Sequence, residues 1–386
     1  MAGLGIWFVG ARGSLATTAT VGAAALGAGL VESTGCVTEH PDIDARGLAP
    51  YDSIVVGGHD VVNTPVAKRV EQLVAGGVVP AALVPPLSAE LDAVEGRLRP
   101  GIDRGPGGGT NQRAEVEGLA RDIRAFAARV GRTVVVDVSS TEQPHDAGPD
   151  GASWAALQAA WDAGRAPLAP SSAYACAALL AGCGYVAFTP SPGIDVPALR
   201  ELAERQGVPY AGRDGKTGET LVKSALAPMF ATRALAVRSW TSVNLLGGGD
   251  GATLADPVAA SSKTLAKRSG LDAMLGHQVE GPMHIDFVDD LGDWKTAWDH
   301  VRFDGFLGTR MTLQFTWQGC DSALAAPLVL DLARLVARAQ DVGETGVLAD
   351  LGFFFKSPLD SDEHRLAQQW AALTAWSARC GERAAS

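Results

Sequence analysis

Lys263 and Lys267 stand four residues apart in Ser261-Ser262-Lys263-Thr264-Leu265-Ala266-Lys267, shortly after a glycine-rich stretch ending Gly247-Gly248-Gly249-Asp250-Gly251. On a helix that spacing places two ammonium groups on one face, which costs stability in isolation. A chain tolerates such a pair most readily when an anion lies between the charges. With Lys295 and Lys356, the pair points to a phosphate-bearing substrate and to proton transfer through lysine. Crowding by other cations and partial burial lower a lysine pKa far enough for it to serve as a base. The competing reading is two solvated lysines on a surface helix. Asp214 and Asp250 each adjoin a glycine and, taken singly, read as turn residues.

These groups need a scaffold. Residues 5–9 are apolar and read as a buried strand, and Gly10-Ala11-Arg12-Gly13-Ser14 reads as a tight turn. A small-residue helix is expected over 15–26 and a second strand over 35–38. Strand, glycine turn, helix, strand opens a dinucleotide-binding unit, in which glycines admit a pyrophosphate and the helix offers free amides and a positive dipole end. Gly10, Arg12, Gly13 and Ser14 are the candidates for that contact, although the strict GxGxxG spacing is absent. Glu39, at the end of the expected second strand, stands where an acid often meets the adenosine ribose and would repel a 2′-phosphate, favouring NAD over NADP. Arg12 would weaken that preference if it points at the ribose.

Further strands are expected over 53–56, 133–138 and 184–188, alternating with helices over 114–130 and 173–181. This alternation predicts an α/β fold with a parallel, doubly wound sheet. Residues 100–110 read as a loop, either a lid or a surface excursion. Alternation over 235–244 and 311–317, with a third candidate over 281–288, predicts a sheet with one open face, followed by a helix over 323–340. The expected organisation is a Rossmann-like NAD-binding domain over 1–224 and 326–386, built from both chain ends. An α+β catalytic and oligomerisation domain is inserted over 225–325.

Composition narrows the partners. The 386 residues carry a formal charge of −11, which argues against nucleic acid and against a broad anionic membrane surface. No apolar run approaches the roughly 20 residues that span a bilayer. Leu4 to Val9 is broken by Arg12 and lacks a leader-like approach, so a soluble, cytoplasmic protein is expected. The five scattered cysteines fit reduced thiols, and no metal-binding CxxC is present.

An ordered series of motifs resembles the archaeal and bacterial form of the myo-inositol-1-phosphate synthase family. It comprises Val9-Gly10-Ala11-Arg12-Gly13-Ser14, Gly57-Gly58-His59-Asp60 and Asp137-Val138-Ser139-Ser140-Thr141-Glu142, then Phe188-Thr189-Pro190-Ser191-Pro192-Gly193. Asp214-Gly215-Lys216-Thr217-Gly218-Glu219-Thr220 and the stretch from Asn244 to Gly251 are the most specific pieces. The paired lysines, Gly292-Asp293-Trp294-Lys295, Cys320-Asp321 and Phe355-Lys356-Ser357-Pro358 complete the series, which runs over nearly the whole chain.

The resemblance implies a redox-neutral cyclisation of glucose 6-phosphate to myo-inositol 1-phosphate: oxidation at carbon 5, enolisation, intramolecular aldol closure and reduction, with NAD recycled. It implies that Lys263 takes the carbon 5 proton and steadies the oxyanion. Lys267 and Lys295 would grip the phosphate and the linear sugar, and Lys356 would polarise the aldehyde. A Schiff base between a lysine and the sugar carbonyl is the alternative chemistry. Asp214, Asp250 and Asp321 match the family's active-site aspartates, placed to orient a lysine, position nicotinamide or hold a cation. Thr217, Gly218, Glu219 and Thr220 offer a phosphate cradle at a helix start. Asp60, Ser139 and Thr141 fall where cofactor contacts are expected, and His59 reads as support for its turn. A divalent cation, magnesium or manganese, is compatible with oxygen ligands from Asp250 or Asp321. The resemblance further implies a homotetramer built on the second sheet.

Two departures bear on the substrate. Gly248 and Gly249 replace polar residues, and Ala187 stands where asparagine is common, which would leave extra room near the sugar. The competing readings are a secondary-metabolism relative that closes fructose 6-phosphate into a five-membered carbocycle, a non-catalytic NAD-binding protein, and an ordinary dehydrogenase that accumulates NADH.

Overall fold

The computed structural model describes residues 3–102, 111–247 and 270–385. Lys263, Lys267 and Asp250, with Gly248 and Gly249 and most of the expected 100–110 loop, lie outside the described residues.

Seven strands form one parallel sheet: β1 (Gly3–Val9), β2 (Ile54–Asp60), β3 (Leu98–Pro100), β4 (Gly131–Asp137), β5 (Gly184–Ala187), β6 (Pro209–Gly212) and, from the far end of the chain, β11 (Gly346–Val347). Their order, 11-6-5-4-1-2-3, contains the doubly wound arrangement that leaves a crevice between β1 and β4, where the connections diverge. β1 and β4 are near-continuous apolar runs because helices cover both faces. One cover is α1 (Ser14–Gly27), whose Ala16, Ala19 and Ala23 are buried. The helices α2 (Val66–Ala75), α3 (Val84–Arg97), α4 (Gln112–Val130), α5 (Trp154–Asp162), α6 (Pro170–Leu180) and α7 (Pro197–Gln206) complete the layers before β6.

The chain leaves this sheet through α8 (Gly218–Thr232). Its Ala227 and Phe230 pack with Val237, Trp240 and Val301 in a second core. That core lies under a four-stranded sheet of β7 (Ala236–Leu246), β8 (Met283–Phe287), β9 (Trp294–Asp304) and β10 (Arg310–Cys320), ordered 10-9-7-8. β9 is antiparallel to β7 and β10, whereas β7 and β8 run parallel. α9 (Asp321–Asp341) then returns beneath the first sheet, where Val329, Leu332 and Val336 join the core of β1 and β4. α10 (Leu366–Ala384) closes the described chain.

One expected element is absent. Residues 37–39 form a 3-10 turn, and the strand that follows α1 is β2, beginning at Ile54. Thr38 faces inward because the carboxylate of Asp331, on α9, accepts from the Val37 amide (2.6 Å) and from the Thr38 hydroxyl (2.5 Å). This side-chain anchor takes the place of a strand ladder. Among the described residues no helix is long and apolar enough to cross a membrane.

Candidate functional site

A cleft of about 640 Å³ opens at the carboxyl ends of β1 and β4 and extends to the second sheet. Its dinucleotide end is built largely from backbone. Gly10 has φ +83°, and a Cβ there would come within 3.0 Å of the Ser139 Cα, so the turn needs glycine. Gly13 caps α1 without a side chain, which leaves the first amides of that helix for an anion. The Arg12 amide donates to Asp60 Oδ2 (2.6 Å) and the Val62 amide to Oδ1 (2.8 Å), fixing the acid at the end of β2.

Glu39 requires a correction of place. It does not line the cleft, and its carboxylate accepts from Arg334 (2.7 Å), because the segment that carries it is a turn held by α9. The acid that ends the strand after α1 is Asp60, and it does line the cleft. Arg12 also lines the cleft, but its guanidinium forks onto Glu95 (2.6 and 2.9 Å) and bonds the Thr64 carbonyl, so its charge is matched by α3.

Ser139 and Thr141 line the cleft beyond β4. The Ser139 amide and hydroxyl both donate to Asp137 Oδ1 (3.0 and 2.7 Å), and Tyr185 donates to Oδ2. Burial pushes the Asp137 carboxyl up to about 6 against those hydrogen bonds. His59 is fully buried: Trp7 Nε1 donates to its Nδ1 (2.9 Å), so Nε2 carries the proton and faces Asp122 (3.2 Å). Burial lowers its pKa, and its backbone carbonyl accepts from the Gly10 and Ala11 amides (3.0 and 3.1 Å) at the base of the turn.

The substrate end is built from charged side chains. Lys356 donates to Asp214 Oδ1 (2.9 Å), and Asp214, at φ +61°, donates its amide to the Thr189 carbonyl (3.2 Å) and accepts at its own carbonyl from the Lys356 amide (2.7 Å), which ties it to the segment that carries Lys356. Phe354 and Phe355, both buried, shield that segment. Lys295, on β9, donates to Asp321 Oδ2, and Thr217 donates to the other oxygen of Asp321 (3.3 Å). Thr217, Gly218, Glu219 and Thr220 line the cleft at the start of α8, where Thr217 makes no side-chain cap and Gly218 adopts φ +56°. The positive dipole end of the helix therefore borders the cleft that Lys295 also lines.

Several features of the site were not singled out from the sequence, although Lys216 and Asn244 lie within its motifs. Lys216 is buried with its amine on Gln369 and lies 5.7 Å from the Phe353 ring; burial brings its pKa down to about 8. Asn244 and Trp317, from the inner face of the second sheet, also line the cleft. Ala187 does not. It is buried, and a Cβ on Gly212 would lie 2.9 Å from its own, so the expected extra room near the sugar is absent there. Among the described residues no group of three or more metal-ligating side chains forms, and Asp321 is engaged by Lys295 and Thr217.

Comparison with known proteins agrees with this geometry. A family model described as Myo-inositol-1-phosphate synthase, an NAD-binding family, matches residues 4–378. The inositol-3-phosphate synthase 1 of Bacteroides thetaiotaomicron is 32% identical over 402 residues, which cover 95% of this chain and 93% of that protein. The Bos taurus enzyme of the same name is 32% identical over 267 residues, 64% of this chain and 48% of its own, so that match spans about half the animal protein. Among solved structures, the Caenorhabditis elegans inositol-3-phosphate synthase superposes with a TM-score of 0.87 at 22% identity, covering 98% of this chain and 86% of that one. A Thermotoga maritima protein related to myo-inositol-1-phosphate synthase gives 0.77 at 21%, covering 98% of both. These two structural likenesses show the fold.

Proposed function

Because the chain belongs to the myo-inositol-1-phosphate synthase family, we propose that it cyclises glucose 6-phosphate to myo-inositol 1-phosphate with no net redox change. The observation that carries this reading is a single cleft that joins a dinucleotide turn to an anion cradle flanked by two lysine–aspartate pairs. A plain dehydrogenase site needs no such set. NAD, when bound, accepts a hydride from the sugar and returns it within the same turnover.

The amides of residues 218–220 and the Lys295 ammonium hold the phosphate, which fixes one end of an extended sugar. Asp321 sets the reach of Lys295. Lys356 polarises the aldehyde carbonyl, and Asp214 keeps that lysine charged and aimed. Lys263 is assigned the proton at carbon 5 and Lys267 a share of the phosphate, on the resemblance alone. Asp60, Gly10, Gly13, Ser14, Ser139 and Thr141 are assigned to the cofactor, with Asp60 on the adenosine ribose. The open face of the second sheet exposes Trp298 beside Thr296 and His300, and we assign it to self-association as a homotetramer, testable by light scattering.

The deciding experiment incubates the purified protein with glucose 6-phosphate and NAD and identifies the product by NMR. A six-membered inositol phosphate without net NADH is expected. A five-membered carbocycle obtained only from fructose 6-phosphate, or steady NADH build-up, would overturn the assignment.

A further inference from the structure

The second sheet meets the anion cradle through a tryptophan seated between two glycines. Lys295 and Ala297 on β9 stand opposite Gly319 and Trp317 on β10, and Asn244 on β7 stands opposite Ala297. Residues paired directly across a ladder, and residues two apart on one strand, project from the same face. That face is turned to the cleft, since Asn244, Lys295, Ala297 and Trp317 all line it. At Gly319 the indole occupies the space of a side chain: a Cβ there would lie 2.9 Å from Trp317 Nε1. The same nitrogen lies 3.5 Å from the position of a Cβ on Gly218, the first residue of α8, and Asp321 Oδ1 lies 3.9 Å from that position. The indole is thus folded along β10, with its nitrogen edge against the start of α8 and near the acid that holds Lys295.

An indole N–H can only donate. Trp7, Trp161, Trp240 and Trp376 each donate theirs to a protein acceptor. The Trp317 N–H has no acceptor among the described residues. Its neighbours at this corner of the cleft, the Lys295 ammonium and the first amides of α8, are donors too. Donors gathered at one corner call for an acceptor from outside the chain, and a phosphate dianion brings three oxygens. We propose that Trp317 is a further binding residue, its Nε1–H donating to a substrate phosphate oxygen alongside Lys295 and the α8 amides, with Gly319 leaving the room that seats the indole. This deepens the proposed function, on which it rests for the identity of the phosphate ester. The indole adds a donor without adding charge, and its ring excludes water from the contacts beside it, which strengthens them.

The test uses NAD-loaded protein and inorganic phosphate as the probe, read by calorimetry. Trp317→Phe keeps an aromatic ring and removes the donor. It is expected to weaken phosphate binding about tenfold, the size of one hydrogen bond to a charged group. Gly319→Ala leaves every charge in place and drives a Cβ against the indole nitrogen, and is expected to weaken binding about threefold or more. Combined with Trp317→Phe it should add less than about twofold, because both changes act on one contact. Parent-like affinity in Trp317→Phe would overturn the proposal. Full additivity in the double variant would overturn the seating by Gly319, since the glycine would then act through Lys295 across the strand pair. Should Trp317→Phe fail to fold, as judged by lost NAD binding, Gly319→Ala alone decides, and an unchanged phosphate constant overturns the idea. A parent protein that binds phosphate yet forms no inositol phosphate would sink the cyclisation reading and leave the result on Trp317 standing; a parent that binds no phosphate would overturn both.

Discussion

The two ends of the cleft solve the problem of holding an anion in different ways. At the dinucleotide end the work falls to backbone: a left-handed Gly10, a cap at Gly13 without a side chain, and an Asp60 held by two amides. At the substrate end it falls to paired side chains: Lys295 with Asp321, Lys356 with Asp214, and Lys223 with Glu219. A backbone site is set when the sheet forms and tolerates little change in shape. A site of paired charges can be rebalanced one residue at a time, so chemistry and substrate choice can shift while the fold remains.

Substitutions probe that contrast. The largest effect is expected at the substrate end: Lys295→Ala and Lys356→Ala should each lower kcat about 10²–10⁴-fold, the range for a lost acid–base or electrostatic group. NAD titration followed by fluorescence should still show binding, which would separate the two ends; loss of NAD binding would merge them. Next is the backbone end. Gly10→Ala forces a Cβ into the left-handed region against Ser139, costing about 1–2 kcal/mol, and should raise the NAD dissociation constant about tenfold by the same titration. A comparison of acids follows. Asp60→Asn should weaken NAD about fivefold to tenfold, as for one charged hydrogen bond, whereas Glu39→Gln should leave the NAD constant nearly as it was and lower the Tm by a few degrees. Equal effects at the two positions would return Glu39 to the cofactor.

The smallest effect concerns Lys216. Its folded pKa, about 8, lies below the ordinary 10.5, so between those values the unfolded chain binds more protons. Stability should therefore rise with pH over about 8 to 10.5 and fall as pH drops toward 8. Lys216→Met should flatten that slope in denaturant titrations; an unchanged slope would place the titration elsewhere.

The sequence was legible where local pattern and tertiary role coincide. The apolar runs of β1 and β4, the small-residue α1 and the long α9 follow directly from periodicity and burial. The region after α1 misleads because Gly35-Cys36-Val37-Thr38 has strand-like composition but is tied down by Asp331, nearly 300 residues away in the chain. No local rule reports an anchor that distant, and the expectation for Glu39 moved with that segment. β9 was harder to see because its outward positions carry Trp294 and Trp298, which blur the alternation of polar and apolar residues. The Glu219–Lys223 pair has an i,i+4 spacing, and only its burial distinguishes it from a surface pair.

α9 begins in the substrate site at Asp321 and ends beneath the parallel sheet, and β11 and α10 follow it. During synthesis β1, β2 and β4 therefore leave the ribosome long before the helix that covers one of their faces. Until residues 321–341 arrive, an apolar surface that includes Leu4, Ile6 and Val134 waits uncovered, the condition under which nascent chains aggregate or recruit chaperones. Completion of the dinucleotide half is thus timed by a helix made long after the strands it packs against.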